Sequence, residues 1–188
     1  VRNCKEIIQG LHHFSYDNGL GYPDSWAGTD GLVSANQAFR ILFKEGMVTD
    51  ESIFGCPDSA FVPDGDIGMK PDFAKVLTPG ECHWMLLKFQ TGSSIGETPI
   101  VVEIALNASW PPKWDVSGQA GNKRGRAWPG RKIIVGRNDG SVTLEKMSPD
   151  GTIDWHFKNL LGPDGKSWID WLSPEQIASL SYWDIEEK

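Results

Sequence analysis

Four histidines, His12, His13, His83 and His156, are the residues best suited to acid–base or metal chemistry. His12 and His13 are adjacent on a helical pattern and project about 100° apart, which prevents them from sharing one ion. His83 and His156 lie in separate strand patterns, so any triad or zinc centre would have to come from tertiary convergence, which spacing does not reveal. No Gly-x-Ser-x-Gly elbow is present, and Gly92-Ser93-Ser94-Ile95-Gly96 has neither its spacing nor a strand-to-helix context. The glycine-rich segment from Gly118 to Gly130 lacks the Gly-x-x-x-x-Gly-Lys-Ser/Thr pattern of a phosphate cradle. The acidic residues offer more. Asp58, Asp64, Asp66 and Asp72 fall in one loop, and Asp64-Gly65-Asp66 sets two carboxylates two residues apart. Calcium takes six to eight oxygens from such loops, so Asp64 and Asp66 are candidate ligands of a structural calcium ion. Asp-Gly pairs are also what ordinary turns contain. No catalytic residue is assigned, and a non-catalytic domain is expected.

Nine tryptophans raise a different chemistry. Trp110, Trp114 and Trp128 lie in irregular segments, where exposed rings would stack on sugars. An exported glycan-binding module is therefore the alternative reading. Rings in loops also plug those loops into a core. Trp155, Trp168, Trp171 and Trp183 are expected to be packing residues. Three cysteines, Cys4, Cys56 and Cys82, make no Cys-x-x-Cys motif. They allow a single Cys56–Cys82 bridge in an oxidising compartment, or three free thiols in a reducing one.

Charge narrows the partners. Lys and Arg number 18 against 25 Asp and Glu, a formal net charge of −7, which gives no footprint for a phosphate backbone and excludes nucleic acid as the expected partner. The one basic cluster, Lys123, Arg124, Arg126, Arg131 and Lys132, is interrupted by Gly125 and Gly130 and is expected to be a solvated loop entering a strand. No stretch approaches the roughly 18–20 apolar residues that span a bilayer. The chain opens at Val1 on a helical pattern without Met, and is expected to be processed or cut from something longer.

The elements that would position these residues read as follows. Ile7, Ile8, Leu11 and Phe14 recur at helical spacing over residues 4–16, and Asn18-Gly19 ends the run. Asn3 with Glu6 has the form of a capping box, but it is read as a coincidence inside a longer helix. Ser34 and Gln37 cap a second helix whose apolar face is Ala38, Phe39, Leu42 and Phe43, with Gly46 at its end. Residues 55–80 form a long Pro/Gly/Asp loop, of a length that usually binds or covers something. Apolar runs at 83–89 and 99–106 are strands, and a second irregular segment spans 107–130. Three further strands are expected at 131–137, 141–147 and 152–157, turning at Asn138-Asp139-Gly140 and Pro149-Asp150-Gly151 into an antiparallel meander. On the middle one, Val142 and Leu144 should face the core, while Thr143 and Glu145 face water. Ser173-Pro174-Glu175-Gln176 opens a last helix, with Ile177, Leu180 and Trp183 towards the domain. The pattern gives one α+β domain over 1–188, with 147–188 as a C-terminal extension packed on it.

Residues 3–23, from Asn-Cys-Lys-Glu-Ile-Ile to Asp17-Asn18-Gly19-Leu-Gly-Tyr-Pro23, resemble the soluble start of bacterial type II secretion pseudopilin-like (prepilin-type) proteins, the group abundant in Verrucomicrobia and Planctomycetes. Asn3, Lys5, Ile7, Leu11, Asp17, Asn18, Gly19 and Pro23 match that group's pattern, with one residue fewer before the Asp-Asn pair. Cys4, Glu6 and Phe14 stand in its Leu, Gln and Tyr places. Residues 34–42, Phe54-Gly55-Cys56-Pro57, and the segment from Ile133 to Asp139-Gly140-Ser141-Val142 agree in order. The resemblance covers about residues 3–57 and 99–146. It implies a pilin-like head on an antiparallel sheet, with a hydrophobic N-terminal helix that is cleaved, methylated and held in the inner membrane. It implies a place on the periplasmic or cell-surface side and, as partners, other pseudopilin or secretion-system subunits. Calcium is held near the sheet in related pseudopilins, although the aspartates here match no ligand pattern of that group. The stretch 147–188 and the long loop at 107–130 depart from the pattern.

Overall fold

A computed structural model of the chain describes residues 1–26, 31–117 and 123–188. Gly118–Asn122, the start of the glycine-rich segment, lie outside the described residues. The fold is α+β: an N-terminal helix lies on an antiparallel sheet, with long loops and a short C-terminal helix. Helix α1 spans Arg2–Asp17 and buries Cys4, Ile7, Ile8, Leu11 and Phe14. Asn3 does not cap it. Its amide donates to the carbonyls of Ser52 and Gly55 and so staples the first turn to the following loop. Helix α2, Ala35–Lys44, opens as expected. The Ser34 side chain accepts the Gln37 N–H, and the Gln37 side chain accepts the Val33 N–H.

Five strands follow: β1 (Trp84–Leu87), β2 (Val101–Glu103), β3 (Lys132–Gly136), β4 (Val142–Lys146) and β5 (Tyr182–Trp183). They pair antiparallel in the order β4-β3-β2-β1-β5. Side chains alternate across a sheet, and the register assigns the two faces. Val101 sits opposite Gly136 and Leu86 opposite Val101. A Cβ on Gly136 would lie 2.5 Å from Ile8 and 2.6 Å from Cys4, so this is the face that α1 covers. Glycine there lets the helix approach the sheet.

The opposite face is covered as well, contrary to the expectation of a wet side. Trp155 and Trp168 are buried against it, Trp110 lies between them at 4.6 and 5.7 Å, and Tyr182 of β5 stacks on Trp110. Each such ring pair contributes about 0.5–1.5 kcal/mol beyond its burial. The expected polarity of β4 holds only at Val142, which packs against the core. Leu144 is half exposed at the sheet edge, while Thr143 and Glu145 accept from the wholly buried Arg137, whose guanidinium lies 4.1 Å over Phe157. A buried cation needs acceptors more than an edge strand needs another apolar contact.

Two further expectations are corrected. Residues 152–157 form no strand beyond one Met147–Ile153 bridge. The Asp154 carboxylate accepts its own neighbour's N–H at His156, and that local turn competes with a ladder. Trp171 is exposed rather than packed. The last helix, α3 (Pro174–Ser179), has the expected capping box but ends early; Leu180 just beyond it and Trp183 on β5 still pack against the core as expected. No helix among the described residues is long and apolar enough to cross a membrane.

Gly136→Ala tests the helix–sheet approach. The added methyl must displace Ile8 and Cys4, and urea unfolding should register a loss of about 1–3 kcal/mol, the usual cost of overpacking. Unchanged stability would mean that α1 does not sit this close.

Candidate functional site

Glu103 is the lone charge in the run Pro-Ile-Val-Val-Glu-Ile-Ala-Leu, at the end of β2 and on the α1 side of the sheet. It is 1% exposed. A carboxylate so buried needs donors, and four segments supply them. Ile134 N–H of β3 donates at 2.7 Å, and the Trp128 indole reaches both oxygens at 2.9 and 3.0 Å. His83 Nε2, just before β1, lies 3.1 Å away, and Cys56 Sγ is at 3.6 Å. The strand register sets the first of these pairs: Trp84 faces Glu103, and the Ile104 N–H donates to the His83 carbonyl.

The second ring nitrogen of His83 meets Ser59 Oγ at 2.7 Å, and that oxygen also accepts the Phe61 N–H. Because the carboxylate only accepts, Nε2 carries the proton and Nδ1 accepts the serine hydroxyl. Serine, histidine and glutamate thus form a chain of triad type. A nucleophile must meet its substrate, however, and Ser59 is 5% exposed with His83 and Glu103 at 1%. What this arrangement does best is hold loops to the sheet.

Arg126 extends the cluster. Its guanidinium is buried, donates to the Pro57 carbonyl, approaches Cys56 Sγ at 3.6 Å and lies 4.7 Å over the Trp128 ring. Burial, followed by the charge of Glu103, pushes the Cys56 thiol up to about 12. Cys56, His83 and Glu103 together place one thiol, one imidazole nitrogen and one carboxylate oxygen within 4.8 Å of one another.

The sequence-predicted calcium residues lie elsewhere, their carboxylates turned to different partners. Asp66 is an exposed turn residue: it accepts the Gly68 N–H and pairs with Lys75 at 2.7 Å, and the lysine contact holds its carboxyl below the usual range. Asp64 accepts the Asp66 N–H and groups instead with Glu51 and Glu81. Glu51 is itself engaged with the Gly65 and Leu77 amides. The three aromatic candidates share no open face. Trp114 is 1% exposed, Trp110 is clamped between Trp155 and Trp168, and Trp128 serves Glu103. The three thiols are free; buried Cys82 donates to the Trp84 carbonyl, and no Cys56–Cys82 bridge is formed. Of the basic cluster, Arg124 is held by Asp184 and Glu187 and Lys123 pairs with Asp115, so these cations are spent internally. His12 bonds the Asn138 carbonyl, His13 is exposed, and His156 lies beside Ser167 and Asp170.

Spacing gave no sign of the Cys56–Ser59–His83–Glu103 convergence. The one local signal was a glutamate interrupting four sheet-forming neighbours, which in a strand covered on both faces must be paired. No family model matches the chain, and neither does any curated protein or solved structure.

Glu103→Gln should lower unfolding stability by about 2–4 kcal/mol, since an amide turns its NH2 end towards donors that then lose their acceptor. Chemical denaturation measures this. A change below about 0.5 kcal/mol would mean that the donors find other partners and that the cluster is dispensable.

Proposed function

We propose that this chain is the exported head of a pseudopilin-like, prepilin-type protein, working by protein–protein contact in a type II secretion or pilus-like assembly and not by catalysis. The observation that carries this reading is α1 laid along an antiparallel sheet through Cys4, Ile7, Ile8, Leu11 and Phe14, an arrangement consistent with a pilin-like head in general. In such an assembly the helix is a spine and the loops present the variable surface. The loops here suit that use. Residues 55–83 and the described part of 107–131 are long, yet they are pinned by Asn3, Ser59, Arg126 and Trp128. The non-catalytic part of the reading is supported by the burial of the Ser59–His83–Glu103 chain. Partners on this account are other pseudopilin or secretion-system subunits, with the head on the periplasmic or cell-surface side of the inner membrane.

The test is the full-length gene product. The reading expects an apolar segment of about 20 residues running directly into Val1, preceded by a short basic stretch and a glycine cleavage position. N-terminal sequencing of membrane-fraction protein should find cleavage at that glycine, with the new N-terminus methylated. A gene that begins near residue 1, or a conventional signal peptide removed just before it, would overturn the proposal.

A further inference from the structure

We propose that Cys56, His83 and Glu103 are the protein ligands of one zinc-class divalent cation, bound beneath the first turns of α1. Two of their three separations match those around such an ion, and the third is within 4.8 Å. Tetrahedral zinc with bonds of about 2.0–2.3 Å sets nitrogen and oxygen ligands about 3.4 Å apart and sulfur and oxygen about 3.6 Å apart. Here Nε2 to Oε1 is 3.1 Å and Sγ to Oε1 is 3.6 Å, with all three atoms inside 4.8 Å. Little movement is needed to place an ion between them. A thiolate with an imidazole selects zinc over magnesium or calcium, which prefer all-oxygen shells.

The outer shell is already built. A metal-bound histidine donates its other ring N–H to a fixed acceptor, and Ser59 Oγ stands 2.7 Å from Nδ1, itself fixed by the Phe61 N–H. The carboxylate keeps the Ile134 amide and the Trp128 indole as supports. The Arg126 guanidinium, 3.6 Å from Sγ, offers the sulfur a charged donor. Binding replaces the S–H and Nε2–H bonds by S–Zn and N–Zn bonds. The imidazole recovers its proton at Nδ1, so one proton per ion, that of Cys56, goes to solvent. Water takes the fourth position.

Zinc chloride titrated into untagged, metal-stripped protein should bind one equivalent. Cobalt chloride should give an intense sulfur-to-metal charge-transfer band in the near ultraviolet. Cys56→Ser should abolish that band, and Ser59→Ala should weaken zinc about 10–100-fold, as for other supports of a ligating histidine. Cys82→Ser, whose thiol lies outside the cluster, should bind as the parent does. In the parent protein, zinc should also slow alkylation of Cys56 and leave Cys82 unaffected, a readout that needs no variant to fold. Zinc bound no more tightly by the parent than by Cys56→Ser, a cobalt complex without the thiolate band, or unaltered Cys56 alkylation would each overturn the assignment.

Discussion

The burial of a single carboxylate, Glu103, governs how the long loops of this protein are arranged. Taking a carboxylate out of water without donors is prohibitive, and β2 alone supplies none. The donors come from β3, from the segment carrying Trp128, from the residue that precedes β1, and from the loop after the 3-10 turn at Glu51–Phe54. Four stretches distant in sequence are thereby required at one point on the helix side of the sheet. Long irregular loops ordinarily keep much of their chain entropy. These are instead tied down near one end, the first at Cys56 and Ser59 and the second at Arg126 and Trp128.

A second buried charge organises the other face. Arg137 is wholly buried, with Thr143 and Glu145 as its acceptors and Phe157 over its guanidinium. Trp110, Trp155, Trp168 and Tyr182 close over the rest. The chain end is then strapped back over α2. Glu186 joins Arg40, Ser34 and the Asn36 amide oxygen, and Arg124 holds Asp184. Under the proposed function, a domain built this way would offer partners a surface of ordered loops at little further ordering cost.

Local chemistry was legible in the sequence wherever a short stretch decides the structure. The Ser34 and Ser173 caps, the turn at Asn138-Asp139-Gly140 and the apolar stripe of α1 needed only neighbouring residues. Features set at long range were not legible. The alternation in β4 reads correctly as a pattern, but Thr143 and Glu145 are drawn inward by Arg137, whose need for acceptors shows only once Phe157 lies over it. Strand β5 is two residues long and exists because β1 offers it an edge. Asp64 and Asp66 looked paired by spacing, yet Lys75 claims one and the neighbourhood of Glu51 the other. Cys56, Ser59, His83 and Glu103 each read as unremarkable in their own segments, and their chemistry exists only in the folded chain.

Amide hydrogen exchange at Ile134 tests the central role of Glu103 most directly, because that N–H donates to the carboxylate side chain rather than to a neighbouring strand's carbonyl. With the Glu103 cluster holding the loops to the sheet, the Ile134 amide and the Trp128 indole N–H should exchange only through global unfolding, as slowly as the Val102 and Val135 amides of the central strands. Exchange at Ile134 and Trp128 that is orders of magnitude faster than at those core amides would show that the carboxylate opens locally, and would contradict the account.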